Sequence, residues 1–380
     1  MMWKKEGGIS VKVSKSTYRG ALLGMACGDA MGYTVDSRTW DEIKEDYGPN
    51  GLLGYDLVNG YAEITSYTQL AAFTCNGLLF GITRGQMTGK MAPFINYAAM
   101  AGKEWAASQQ AWGRPSRNFC WLMTQPEMCR RHCMDTRMLE ALARDTQRYP
   151  LGTPDQPRNN YGGPGSLASA IGVGLFFDSE RMSQEETDLL GAEVVALTHG
   201  SPMAFVSGAA LAHLMSRVLC TPNASFRLLL KETLDFIRKT YGHRYSVTYA
   251  LCELVANAAA YASDPSIPSW RVMEKLRCES APQVLAGAVY SVLVSGGDFD
   301  RAMISAVNHS GRSAAVGTIT GALLGAKLGE ESLPEFYMEC LEPADVLREL
   351  ADDLEGGCPM VQGNRLFDLD WDRKYLHGGR

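Results

Sequence analysis

Positive charge is in short supply: 36 Lys and Arg stand against 42 Asp and Glu, a net charge of −6. Nucleic acids and anionic membranes need a concentrated basic face, so neither is an expected partner. The N-terminus, Met1-Met2-Trp3-Lys4-Lys5-Glu6-Gly7-Gly8, lacks the apolar stretch of a secretory leader, and no run has the length expected of a membrane span. The ten cysteines lack the spacing of a disulfide framework. Cytoplasmic localisation, with thiols reduced and packed as small apolar groups, is the expectation. Cys129-Arg130-Arg131-His132-Cys133 has no second pair of ligands to complete a zinc site and is read as a helix with two thiols one turn apart.

Strand signals are also scarce, limited to short pieces near Ile9 to Val13 and in the tail. Helical periodicity fills the rest. Apolar or small residues recur at three- and four-residue spacing over 16–31, 68–82, 91–108, 166–178, 184–197, 203–218 and 225–240, then over 246–262, 281–294, 299–308, 313–328 and 343–354. The 39 glycines and many alanines imply helices packed backbone to backbone. The predicted fold is all-α: a compact multi-helix domain over 16–354, an N-terminal extension over 1–15 and a C-terminal tail over 355–380 that forms a strand or packs through Trp371. Residues 112 to 157, richer in Arg, Cys and Met than their flanks, read as an insertion over a site.

Four segments carry the chemistry. Tyr18-Arg19-Gly20-Ala21-Leu22-Leu23-Gly24-Met25-Ala26-Cys27-Gly28-Asp29-Ala30-Met31-Gly32 is a small-residue helix ending near two acids, Asp29 and Asp36. The others are Thr65-Ser66-Tyr67-Thr68-Gln69, Thr198-His199-Gly200-Ser201-Pro202, and the run from Asn308 through Gly311-Arg312-Ser313-Ala314-Ala315 to Gly317-Thr318-Ile319-Thr320-Gly321-Ala322. Together, and in this order, they resemble the ADP-ribosylglycohydrolase family over roughly residues 16 to 354. The first is similar to the family's Gly-Asp-Ala-x-Gly turn, with Asp36 where a glutamate usually follows. The second resembles Thr-Asp-Asp-Thr-Gln, the third Thr-His-Gly-x-Pro, and the fourth Gly-Gly-Asp-x-Asp-Thr followed by its helix.

The resemblance implies two magnesium or manganese ions held by the Asp-Asp and Asp-x-Asp pairs. Here Ser66, Tyr67, Arg312 and Ala314 stand at those four positions and Ala315 replaces the threonine. Hard cations need anionic oxygen donors. Thr65, Ser66, Tyr67 and Ser313 offer only neutral hydroxyls. The expectation is no metal cofactor and a cationic pocket for an ADP-ribose-like or nucleotide ligand, free or on an ADP-ribosylated protein. Arg312 either grips the anion or pairs with Asp29 or Asp36 and plugs the pocket, which would leave a protein-interaction scaffold. The glycine-rich turn with Gly163, Gly165 and Ser166 suits a diphosphate or merely caps a helix. His199 and Asn308 are ligand-binding or structural. Tyr67 stacks on a base or nicotinamide-like ring, or fills vacated space. A metal-free hydrolase of a glycosidic bond to ADP-ribose or a related riboside is the alternative, with Asp36 as general base and Asp29 the more structural acid.

Overall fold

The computed structural model describes residues 13–110, 118–132, 135–143, 150–177, 182–221, 223–361 and 367–379. Among these the chain is helical, with no β-strand beyond two isolated bridges, Val58 with Tyr61 and Ala62 with Leu341. The helices run α1 Lys15–Val35, α2 Trp40–Tyr47, α3 Ser66–Thr88, α4 Phe94–Ser108, α5 Thr136–Ala143, α6 Ser169–Phe176, α7 Gln184–Ala196, α8 Pro202–Cys220 and α9 Phe226–Tyr241. They continue with α10 Val247–Tyr261, α11 Ser269–Leu276, α12 Ala281–Val294, α13 Phe299–Val307, α14 Ser313–Leu328, α15 Glu335–Glu339, α16 Ala344–Gly356 and α17 Leu369–Leu376.

The centre of the fold is the antiparallel pair α1 and α14, and glycine spacing explains it. Gly20, Gly24, Gly28 and Gly32 recur every four residues, so they share one face of α1. A methyl group at Gly20, Gly24 or Gly28 would lie 2.3, 2.4 or 1.9 Å from the carbonyl oxygen of Gly325, Gly321 or Gly317, respectively. Only hydrogen fits there, and the two backbones touch. Gly32 ends the ladder against Ser313 and Ala314, where an added methyl would sit 2.5 Å from the Ala314 Cα. The last turn of α1 is thereby locked beside the first turn of α14, which is where the site forms.

Of the two readings of the tail, a strand or packing through Trp371, the structure takes the second, as a helix. Asp368 accepts from the Asp370 and Trp371 amides at 3.1 and 2.9 Å and starts α17. Trp371 anchors this helix as anticipated, being buried and donating Nε1–H to Thr83 Oγ1 at 3.0 Å. Of the other expected β piece, residues 9–12 lie outside the described residues. Contrary to the sequence reading of apolar runs, α8 is long and apolar enough to cross a membrane, yet 83% of its apolar window is buried against other helices. Its length serves a protein core.

Candidate functional site

Two helix starts, one capped by an acid within α1 and the other by the acid that follows it, frame a cleft of roughly 580 Å³. At the first, Asp29 Oδ2 accepts the amides of Thr65 at 2.9 Å and Thr68 at 3.0 Å, and its Oδ1 accepts the Thr65 hydroxyl at 2.7 Å. Asp29 has no exposed surface, and burial lifts its carboxyl to about 6 against the pull of those donors. It holds the α3 N-terminus and does not border the cleft. Thr65, Ser66 and Tyr67, delivered by that helix start, do.

At the second start, Asp36 Oδ1 accepts the Ala314 amide at 3.0 Å, capping α14 from another helix. Its Oδ2 accepts the Ser37 hydroxyl at 3.2 Å and lies 3.7 Å from an Arg312 guanidinium nitrogen. Burial raises the Asp36 carboxyl, while the Ala314 N–H and Arg312 pull it down. Arg312 also donates to Ser37 Oγ at 2.8 Å. With 50% of its side chain exposed it borders the cleft without filling it, so the pair forms but the plug does not.

Around the start of α14, three sequence candidates turn away from the cleft. Asn308 is buried and clamps Leu52, accepting its N–H at 2.7 Å and donating to its carbonyl at 2.9 Å, with a second donation to Ile304 O at 2.8 Å. Both of its amide hydrogens are spent on backbone carbonyls. Ser313 Oγ donates to Val307 O at 2.8 Å beneath the turn. Gly311, at φ 156°, allows close approach to the 277–278 backbone, where a methyl would sit 2.6 Å from Arg277 O. All three shape the turn that presents Arg312.

The glycine turn forms another wall. Gly163, Pro164 and Gly165 border the cleft just before the tight turns that lead into α6, and the amides of Gly163 and Gly165 bond to no other described residue. Ser166 points inward, its Oγ 2.9 Å from His199 Nδ1, which also lies 2.8 Å from the Thr198 hydroxyl. His199 is buried and neutral, its pKa lowered to about 4 by that burial. Its Nε2 lies 3.8 Å from Asp135 Oδ2. A methyl on Gly165 would lie 3.2 Å from Nε2, so the glycine packs directly against the imidazole.

Sequence reasoning missed Tyr33, His132, Asp135, Thr136, Arg137, Met138, Pro164 and Glu279, all of which border the cleft. Five come from the stretch flagged as an insertion. Gln69 and Gln109 hold it: both donate to Arg130 O, at 3.0 and 2.9 Å, and Gln109 Oε1 accepts the His132 amide at 3.1 Å. The expected helix with two thiols is absent here. Cys129 ends a 3-10 turn, Glu127–Cys129, Arg130 is extended, and Cys133 lies outside the described residues. Asp135 caps α5, accepting from the Arg137 amide at 3.1 Å, an N-cap pattern visible in Asp135-Thr136-Arg137-Met138.

The lining is therefore not cationic. Asp36, Asp135 and Glu279 face it with Arg137 and Arg312, one more carboxylate than guanidinium. His132 adds no charge at neutral pH because burial lowers its pKa. The implied dications find a poor donor set at the family positions: three neutral hydroxyl side chains at 65–67, a guanidinium at 312, a methyl at 314, and Asp29 engaged by two amides and the Thr65 hydroxyl. Among the described residues no three His, Cys, Asp or Glu side chains converge.

Comparison with known proteins gives the fold its relatives. No curated protein matches the sequence. A solved structure described as an "ADP-ribosylglycohydrolase-related protein complex" superposes with a TM-score of 0.55 at 21% identity, covering 90% of this chain and 98% of its own. The ADP-ribosylglycohydrolase sequence profile matches residues 11–364, a span that includes both capped helix starts and the glycine ladder joining them. The chain belongs to the ADP-ribosylglycohydrolase family.

Proposed function

We propose that the cleft binds an ADP-ribose-like or other nucleotide ligand without the family's pair of divalent ions, and that family-type hydrolysis is lost with them. The observation that carries this reading is Arg312 at the cleft margin beside Ala314, facing the same space as Thr65, Ser66 and Tyr67. A guanidinium repels a dication but grips a phosphate through two parallel hydrogen bonds. The open amides of Gly163 and Gly165 add donors of the kind that hold phosphate at helix starts. The volume suits a small organic ligand.

The test is a thermal-shift titration with ADP-ribose, run once in EDTA and once with manganese, alongside a turnover assay on ADP-ribosyl-arginine. A ligand that binds only the folded state raises its melting temperature by mass action. An equal rise in both buffers with no turnover is expected. Binding or turnover that appears only with manganese would overturn the reading.

A second reading, metal-free hydrolysis of a riboside, draws support from one feature: Asp36 and Asp135 both border the cleft, and glycoside cleavage commonly uses two carboxyl groups. Under it, Asp36→Asn abolishes a turnover that persists in EDTA.

A further inference from the structure

The wall that brings His132, Asp135, Arg137 and Met138 to the cleft is fixed at two separate places. At its root, Glu104 of α4 accepts the Phe119 and Cys120 amides at 2.9 and 3.0 Å, and Asn76 of α3 accepts the Leu122 amide at 3.3 Å. Nearer the cleft, but outside its lining, the fixing point is Arg130. Its carbonyl oxygen accepts from Gln69 and Gln109. Its guanidinium reaches two acids from distant segments: Nη1 donates to Glu63 at 2.7 Å, and Nη2 pairs with Glu342. Glu63 stands two residues before Thr65 at the start of α3, and its other oxygen lies 3.7 Å from His132 Nε2. Glu342 joins the same region through its amide, which donates to Ala62 O at 3.4 Å. The two acids are only 12% and 11% exposed, and Glu342 Oε2 is buried with no hydrogen-bond partner among the described residues. Burial pushes the Glu342 carboxyl up, Arg130 opposes that shift and Glu63 adds to it. One cation therefore holds together two carboxylates that would otherwise repel.

We propose that Arg130 is a positioning residue for the cleft: from outside it, the guanidinium clamps the wall to the start of α3 and so fixes where His132, Asp135 and Arg137 stand. This deepens the nucleotide reading above and rests on it. An arginine fork suits the task because its planar donors reach both carboxylates at once, where a lysine ammonium is a single point of charge. Without the clamp the root stays in place on Glu104, while the cleft end of the wall loses its hold on Glu63 and Glu342. The groups that face the ligand then lose their spacing, and a misplacement of about 1 Å costs on the order of a hundredfold in a positioned site.

The experiment measures ADP-ribose affinity by calorimetry in EDTA, the melting temperature, and amide hydrogen exchange without ligand. It uses the wild type, Arg130→Met, Arg130→Lys, and a triple variant combining Arg130→Met, Glu63→Gln and Glu342→Gln. Arg130→Met should melt lower, because two acids lose their counter-ion, and should bind roughly ten- to hundredfold more weakly. Arg130→Lys should fall between it and the wild type. The triple variant should regain the melting temperature but not the affinity, since its neutral side chains neither repel nor clamp. In both methionine variants the His132 and Met138 amides should exchange faster, and those of Phe119 and Cys120 as in the wild type. A triple variant whose affinity returns with its stability makes Arg130 a stabilising pair only and overturns the proposal. If the wild type binds no ADP-ribose the nucleotide reading fails, and exchange then decides alone: unchanged His132 and Met138 amides overturn the clamp, faster ones support it.

Discussion

Helices α3 and α14 begin in the same way, each with an amide held by a carboxylate at the C-terminal end of α1 or just past it, yet the two starts differ in what remains. Asp29 spends both oxygens on Thr65 and Thr68 and is sealed from solvent. Asp36 spends one oxygen on Ala314 and keeps the other beside Arg312 at the cleft. One capping device thus yields a structural acid in one place and a site acid in the other. Position along the α1–α14 glycine ladder separates them, because the ladder buries Asp29 in its span and leaves Asp36 at its open end.

The largest expected effect lies at the sealed start. Asp29→Ala orphans two amides and a hydroxyl in the interior, each costing about 1–3 kcal/mol. Urea denaturation should show a loss of roughly 2–4 kcal/mol, after allowing for relief of the buried charge. A loss as small as that of a surface cap would erase the contrast between the two starts.

Next comes pH. The folded state lifts Asp29 from 3.8 to about 6, so between those values the folded chain holds a proton that the unfolded chain has released. The contribution to stability is therefore greatest on the acid side, falls as pH rises through this window and is level above it, a change on the order of 3 kcal/mol. Denaturation of wild type and Asp29→Asn across that range should differ by this falling slope. Parallel curves would mean that Asp29 is not titrating as its burial requires.

The smallest stability effect belongs to the open start. Asp36→Asn retains an acceptor for the Ala314 amide, so stability should move by about 1 kcal/mol or less. ADP-ribose should bind a few-fold more tightly, because Arg312 loses its competing carboxylate. Weaker binding, or the loss of a metal-independent turnover, would make Asp36 a ligand or base and favour the hydrolase reading.

How much of this the sequence disclosed follows from element length and side-chain direction. Long helices such as α1, α3, α8 and α14 declare themselves through repeated small and apolar faces. Missed were α2, α5, α11, α15 and α17, none longer than eight residues and too short to show a period. Their caps were the available signal; Thr39 and Glu42 form a capping box at α2. Ser66, Tyr67 and Arg312 were found because motif order brings them together. Asn308, Gly311 and Ser313 belong to the same motif but face inward, a direction that residue type does not give. Tyr33, Asp135 and Glu279 reach the cleft only through tertiary packing of distant segments, which no local pattern encodes.

The central claim is that a guanidinium and neutral hydroxyls have taken the place of a binuclear metal centre. Manganese titration followed by electron paramagnetic resonance tests it most directly, on the wild type and on a chain carrying Ser66→Asp, Tyr67→Asp, Arg312→Asp, Ala314→Asp and Ala315→Thr. The expected result is free-ion signal throughout for the wild type and bound ion for the restored chain. Tight binding of two ions by the wild type would contradict the account.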